Sequence, residues 1–452
     1  MKKELSLSII FCLFLTLVSC SVKPVTEDDG SFTDFNEATF TVLSDGTWLT
    51  SYLPLSLSDR KRGDSASTDR FLDRIEEIEQ KYNVVFTNEH GNLQSKILSM
   101  SVSGGSGADM LYCGNDILFS LYKLGILVPF GEIGVKDNDN IKFGIPSLLV
   151  EGTFDGIRFG IINYLGDTVP YLQGIISINP ELLNSLSMTD PHEYAEKGEW
   201  NWENLRIVLA QGTFTEGNIR HVGMASDYPI PGSQAFFPAI ISNGGYLIKE
   251  IDGVYKSGIC EPNAIEAMEF VTNLLNDGIM EVAASGMGND FWEDGTHWPL
   301  FYNNTETDLD YPLVTFPYGP SGNKDIVAAY STNREYYAFT LLSSFGNDEI
   351  GLLVDEIFEP LDSSLYPEGW KDYAIDNIFQ SDTDYETYMI GLETLQYYPL
   401  GLIYGTNPWT ATDEVMSALD NILFGRGTAQ AELDAVKDLL QEDINEKLNS
   451  VK

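Results

Sequence analysis

Past residue 37 the chain alternates short apolar runs with amphipathic stretches, and two periodicities tell them apart. Residues 39–43 (TFTVL) predict a strand closed by the turn-like Ser44-Asp45-Gly46. Phe71, Ile75, Ile78 and Tyr82 recur every three or four positions and lay one apolar face along a helix over 69–81. Residues 84–86 (VVF) predict a second strand, followed by a helix over 93–100 that breaks at Gly104-Gly105-Ser106-Gly107. Residues 110–112 (MLY) predict a third strand. A short helix over 117–124 then has Gly125 just past its end, where a left-handed residue is easiest for glycine. Strands separated by helices imply βαβ units and hence a parallel sheet. At the far end Leu433, Val436, Leu440, Ile444 and Leu448 form one apolar stripe, which reads as a packing face.

This topology locates a candidate site, because ligands of open parallel sheets bind beyond the carboxyl ends of the strands. The residues placed just past the three strands are Asp45 to Trp48, then Asn88 and Glu89, then Asn115 and Asp116. Each group is polar and one carries a tryptophan, so they are expected to line a single edge.

The first residues read differently. Lys2 and Lys3 precede an apolar run from Leu5 to Val18, 14 residues long. A membrane-spanning helix needs about 20 residues, so the run reads as a secretory leader. Leu17-Val18-Ser19-Cys20 resembles the lipobox of bacterial lipoproteins. The resemblance implies a signal peptide over 1–19, acylation of Cys20, and attachment to the outer face of the cell membrane through that lipid alone. Residues 21–37 are polar and acidic without apolar periodicity, so 20–37 reads as lipidated cysteine and tether.

More than 400 residues remain, beyond what a single core usually supports, and two lobes are expected. With 68 acidic against 26 basic residues the formal charge is −42, which repels phosphate backbones and excludes nucleic acid as a partner. Outside the leader and its junction the cysteines are Cys113 and Cys260, too few for a disulfide framework and expected to be unpaired. The histidines at 90, 192, 221 and 297 have no i,i+4 pairing, and Gly105-Ser106-Gly107-Ala108 fails the G-x-S-x-G pattern by one residue. No P-loop or dinucleotide fingerprint is present, so neither a metal nor a cofactor is expected.

Several blocks share order and spacing with one family. Gly107 to Leu111 and Leu124 to Pro129 resemble its "GxxPD" strand and "GxLxPL" turn, with Ala108 in place of the usual proline. Ile178-Asn179-Pro180-Glu181-Leu182-Leu183, then Asp190-Pro191, then Glu199-Trp200-Asn201-Trp202-Glu203 resemble "YNKxLF … DP … GxWTWDxF". Asn243-Gly244-Gly245, the helix over 264–278 and the segment from Gly425 complete the match. The chain thus resembles the extracellular solute-binding proteins of carbohydrate-type ABC importers, related to maltose-binding protein. The resemblance implies an α/β, two-lobed periplasmic-binding-protein-like fold of type II, each lobe a mainly parallel sheet flanked by helices. It places lobe 1 at 38–158 and 312–358, a hinge crossover at 159–167, and lobe 2 at 168–305 and 360–452. It implies a monomer that closes on a small molecule, mono- or oligosaccharide, and hands it to permease subunits without chemistry.

Sugars present hydroxyls, which pair with Asp, Asn and Gln, and C–H faces, which pack on flat aromatic rings. On that chemistry Asn115 and Asp116 are the leading polar pair, with Asp45 and Trp48 after the first strand. The resemblance adds Asp167 at the crossover, Gln234, and Trp298 and Trp409 as stacking aromatics, whereas Trp200 and Trp202 start a packed helix. Two other classes fit the composition. A secreted glycoside hydrolase also needs cleft carboxylates and aromatics, and a lipoprotein can present its ligand to a sensor.

Overall fold

The computed structural model describes residues 33–45, 66–162, 172–226, 233–282, 297–303, 311–331, 334–360, 370–397 and 413–449. Strands β1 (Ala38–Asp45), β2 (Val84–Gly91), β3 (Met110–Gly114) and β4 (Leu127–Val128) form the first lobe with helices between them. β1 pairs in parallel with both β2 and β3. The helix Ala66–Tyr82 buries Phe71, Ile75, Ile78 and Tyr82, the face its spacing predicts. The helix Leu93–Ser103 ends on Gly104, whose φ of 68° is the left-handed stop. Asp109 fastens the sheet from inside. Its carboxylate accepts from the Thr41 amide at 2.7 Å and from the Ser343 hydroxyl and Ser344 amide at 2.7 and 2.9 Å.

Two strand ends lie further on than expected. β1 runs through Ser44 to Asp45 rather than turning there, and β2 runs to Gly91. Asn88 and Glu89 therefore sit inside the ladder opposite Val42 and Leu43, not beyond it. The polar residues Thr87 to His90 broke the apolar pattern on which the shorter strand rested, but a strand needs only backbone partners to continue.

After the hairpin β5 (Thr153–Phe154) and β6 (Ile157–Arg158) the chain crosses to the second lobe. There β7 (Ile175–Ile178), β8 (Phe214–Glu216) and β9 (Ile219–Ser226) precede a hairpin of β10 (Ile248–Ile251) and β11 (Val254–Ser257). β12 (Met280–Val282), β13 (His297–Asn303) and β14 (Leu313–Thr315) follow, and the sheet is ordered β12-β9-β13-β7-β14 with β8 alongside β9. β12 and β13 run parallel to β9, while β7 is antiparallel to β13 and β14. Trp200 and Trp202 are buried here, as expected. The Trp200 indole donates to the Thr315 carbonyl at 2.8 Å, and Trp202 stacks on Phe270 at 4.2 Å. The C-terminal stripe from Leu433 to Leu448 packs into the same core.

β15 (Tyr330–Ser331) leads back, and β16 (Glu335–Thr340) completes the first sheet in the order β2-β1-β3-β16-β4. β16 lies antiparallel to β3 because it enters from the edge facing the other lobe. The return therefore comes near Arg334, and residues 313–315, assigned by sequence to lobe 1, pair in the second sheet. β17 (Gln396–Tyr397) pairs with β15.

The outgoing and returning crossings run side by side. Ile161 and Tyr337 exchange two backbone hydrogen bonds of 2.9 Å, and Gln173 and Tyr330 bridge at the other end. Gly174, at φ 87°, lies so close to the returning segment that a Cβ there would be 2.0 Å from the Ala328 carbonyl oxygen. A third hydrophobic cluster spans both lobes, joining Leu111 and Leu148 to Leu172, Ile175, Leu313 and Tyr388.

Candidate functional site

The carboxyl edge of the first sheet gathers Asp45, Gly91, Gly114 and the start of β16, since Glu335 pairs with Gly114. Asn115 begins the helix Asn115–Lys123 directly from β3 and is completely buried. Its amide donates to the Arg334 carbonyl at 3.0 Å, and its side-chain Nδ2 donates to Glu151 Oε2 at 3.3 Å. Asp116 follows, half-buried in the first helical turn, where the helix dipole favours a carboxylate. The expected pair thus stands at the expected edge, with Asn115 engaged by a neighbour that the strand pattern did not reveal.

That neighbour is Glu151, on a short turn at Val150–Gly152. Arg334 Nε lies 3.7 Å from its Oε1, an ion-pair separation without a hydrogen bond, and Ser331 on the returning segment also favours the charged carboxyl. Burial pushes the acid up to about 7; Arg334 and Ser331 pull against that, and Glu335 adds to it. Tyr336 closes the wall, donating to the Leu148 carbonyl at 2.5 Å. Its ring occupies the space that side chains at Gly152 and Gly160 would need, since a Cβ at Gly160 would come within 2.7 Å of it. A lone Glu before Gly152 carries no periodic signal, so only the tertiary contacts identify it.

The remaining predicted residues separate. Glu89 is exposed and ion-paired with Lys96. Asn88 is half-buried, with both side-chain amide atoms buried and unbonded. Asp45 ends β1 and Gln234 lies in the helix Ser233–Ser242, their side chains outside the description. Trp298 pairs with His221 near the amino end of β13, five positions before Asn303. At about 3.3 Å per residue it stands about 16 Å from the carboxyl edge of its sheet. The segment match placed it loosely, and the strand register sets it back from that edge. Trp48, Asp167, Trp409 and Cys20 lie outside the described residues.

On the second sheet the carboxyl edge comprises Ser226, Val282 and Asn303, which are paired side by side. Ser226 is fully buried with its hydroxyl unbonded, a polar group that no sequence pattern singles out. A groove of about 510 Å³ separates Val150 of the first lobe from Gly245, Tyr246, Lys249 and Tyr255 of the second. Cys113 and Cys260 form no disulfide with each other; burial pushes the Cys260 thiol up to about 11, where it is protonated and unreactive. Among the described residues no group of three or more His, Cys, Asp or Glu is placed to hold a metal ion, and no helix is long and apolar enough to cross a membrane.

Two mixed α/β lobes joined by paired crossings, with a polar edge on each, define the fold of the solute-binding proteins of ABC importers. MalE, the sugar-binding protein of Xanthomonas citri, superposes with a TM-score of 0.61 at 14% identity over 90% of this chain and 98% of its own. The cyclic α-maltosyl-1,6-maltose binding protein of Arthrobacter globiformis gives 0.59 at 13% identity, covering 91% of this chain and all of that one. UgpB from Mycobacterium tuberculosis, in complex with glycerophosphocholine, gives 0.56 at 14% identity over 91% of this chain and 100% of its own. No family model matches the sequence, and no curated protein is similar to it in sequence.

Proposed function

We propose that the protein captures a carbohydrate outside the cell membrane and delivers it to ABC permease subunits by closing its two lobes, without altering it chemically. The observation that carries the reading is the fold. The chain matches 98% of the length of sugar-binding MalE and all of a cyclic maltosyl-maltose binding protein. Asp116, half-buried at the first lobe's edge, offers a carboxylate to sugar hydroxyls, and Asn115 and Ser226, buried at the carboxyl edges of the two sheets, would add an amide and a hydroxyl. Asp45, Trp48, Asp167, Gln234 and Trp409 are proposed as further ligand contacts on the reading of the sequence alone. Acylation of Cys20 holds the protein at the membrane, and it works as a monomer.

The test is a thermal-shift and calorimetry screen of the leaderless protein against mono- and oligosaccharides, with glycerophosphocholine as a non-sugar comparator. A bound sugar at 100 times its Kd should stabilise the fold by about 2.7 kcal/mol. Asn115→Ala should weaken that binding about tenfold, the loss of roughly one good hydrogen bond. A shift with glycerophosphocholine alone would overturn the carbohydrate assignment, and hydrolysed sugar in the cell would overturn the absence of chemistry. Lipidation is read separately, from the mass of the N-terminal peptide of membrane-extracted protein, with an unmodified Cys20 counting against it.

A further inference from the structure

Glu151 touches three segments that the proposed mechanism treats separately. Asn115, the first helical residue after β3, donates to its Oε2 at 3.3 Å. Ser331 and Arg334 belong to the returning crossing; Arg334 sets its guanidinium 3.7 Å from Oε1, and both favour the charged carboxyl. Glu151 itself belongs to the turn before the β5–β6 hairpin and is 1% exposed. Its carboxylate is bonded to Asn115 and faces Arg334, so what it does passes through these partners.

We propose that Glu151 is a positioning residue that couples the cleft to the hinge: one buried carboxylate sets the Asn115 amide and the returning crossing together. The chemistry favours this role for the charged form. A carboxylate accepts from Asn115 through Oε2 and keeps Oε1 facing the Arg334 guanidinium, whereas the protonated acid must turn one oxygen into a donor facing Asn115 or Arg334. The ionisable groups around it are Arg334, which favours the charge, and Glu335, which opposes it, with Asp116 beside Asn115 on the helix. Burial leaves the acid titrating at about 7, so both forms are populated near neutral pH. The lobes of a binding protein move about such crossings, so a group fixed to both a crossing and the cleft wall links ligand contact to hinge position.

This inference rests on the ligand-capture reading for its consequence but not for its first test. In ligand-free protein the Asn115 side-chain amide signal, assigned by its loss in Asn115→Ser, should shift with pH about a midpoint near 7. In Glu151→Gln, which keeps size and one acceptor, that titration should vanish while the spectrum stays folded. An Asn115 signal constant from pH 5.5 to 8.5, or one that still titrates in Glu151→Gln, overturns the coupling. The second arm measures wild-type affinity for maltotetraose, or for whichever sugar the screen finds, at pH 8 and pH 6. If only the charged form is competent, binding should weaken about tenfold at the lower pH and stay flat in Glu151→Gln. Equal pH dependence in both proteins overturns the proposal. Failure of every sugar to bind counts against the proposed function alone, because the amide titration still decides the coupling.

Discussion

At the scale of single residues, the two carboxyl groups with the most buried surroundings have opposite logic. Asp109 accepts from donors on β1 and on the turn after β16. Glu151 is surrounded by fewer, and its acid form gains in the folded state. Its folded pKa of about 7 stands above the ordinary value of 4.5, so between those values the native protein binds more protons than the unfolded chain. Stability must then fall as pH rises from 4.5 towards 7, by on the order of 3 kcal/mol in total. Glu151→Gln should remove that slope in urea melts taken across the interval; a slope unchanged by the substitution would refute the assignment. His192 is a separable contribution. Burial lowers its pKa, but Asp190 at 2.7 Å and the Leu313 carbonyl at 2.7 Å outweigh that and raise it. Its stabilisation is present below the ordinary histidine value and is lost as pH rises through the raised one. His192→Gln should flatten that loss while leaving the Glu151 slope in place.

At the scale of elements, the first lobe is held by polar anchors as much as by its core. Asp109 binds Thr41 on β1 to Ser343 and Ser344 beyond β16, so three strands share one carboxylate. Asp109→Asn turns one oxygen into an NH2 group facing N–H donors, at a cost of about 2–3 kcal/mol. The urea midpoint should drop accordingly with the denaturant slope unchanged. A neutral substitution would show that the serine turn is not fastened through this residue. The helix periodicities and the glycine stops at Gly104 and Gly125 were legible in the sequence, because burial of one face and left-handed backbone both leave a local mark. The far halves of β1 and β2 were not, since polar residues such as Asn88 stay in a strand once a neighbouring backbone offers hydrogen bonds.

At the scale of the whole molecule, the outgoing and returning segments are tied at two points, Ile161 with Tyr337 and Gln173 with Tyr330. The 510 Å³ groove between Val150 and the second lobe shows that the lobes are not packed flush along that border. A ligand that contacts both edges should therefore compact the protein. Small-angle scattering of the leaderless protein should give a smaller radius of gyration with the sugar that raises its melting temperature; identical profiles would remove hinge closure from the mechanism. The acidic surface bears on this scale as well. A net charge of −42 repels polyanions at long range and leaves a neutral ligand unaffected.

By itself the sequence determined the alternation of strands and helices, the expectation of two lobes and the edge at which Asn115 and Asp116 stand. Each follows from hydrophobic spacing or from the order of blocks along the chain, which are local or linear properties. Only the tertiary structure decided that the returning strand enters antiparallel after Arg334, that Trp298 stands back from the edge, and that Glu151 grips Asn115 and the crossing at once. Those facts depend on register and on contacts between residues 36 to 183 positions apart, such as Asn115 with Glu151 and Glu151 with Arg334. No periodicity in a single chain records contacts of that range, because they arise only when separate segments are brought side by side.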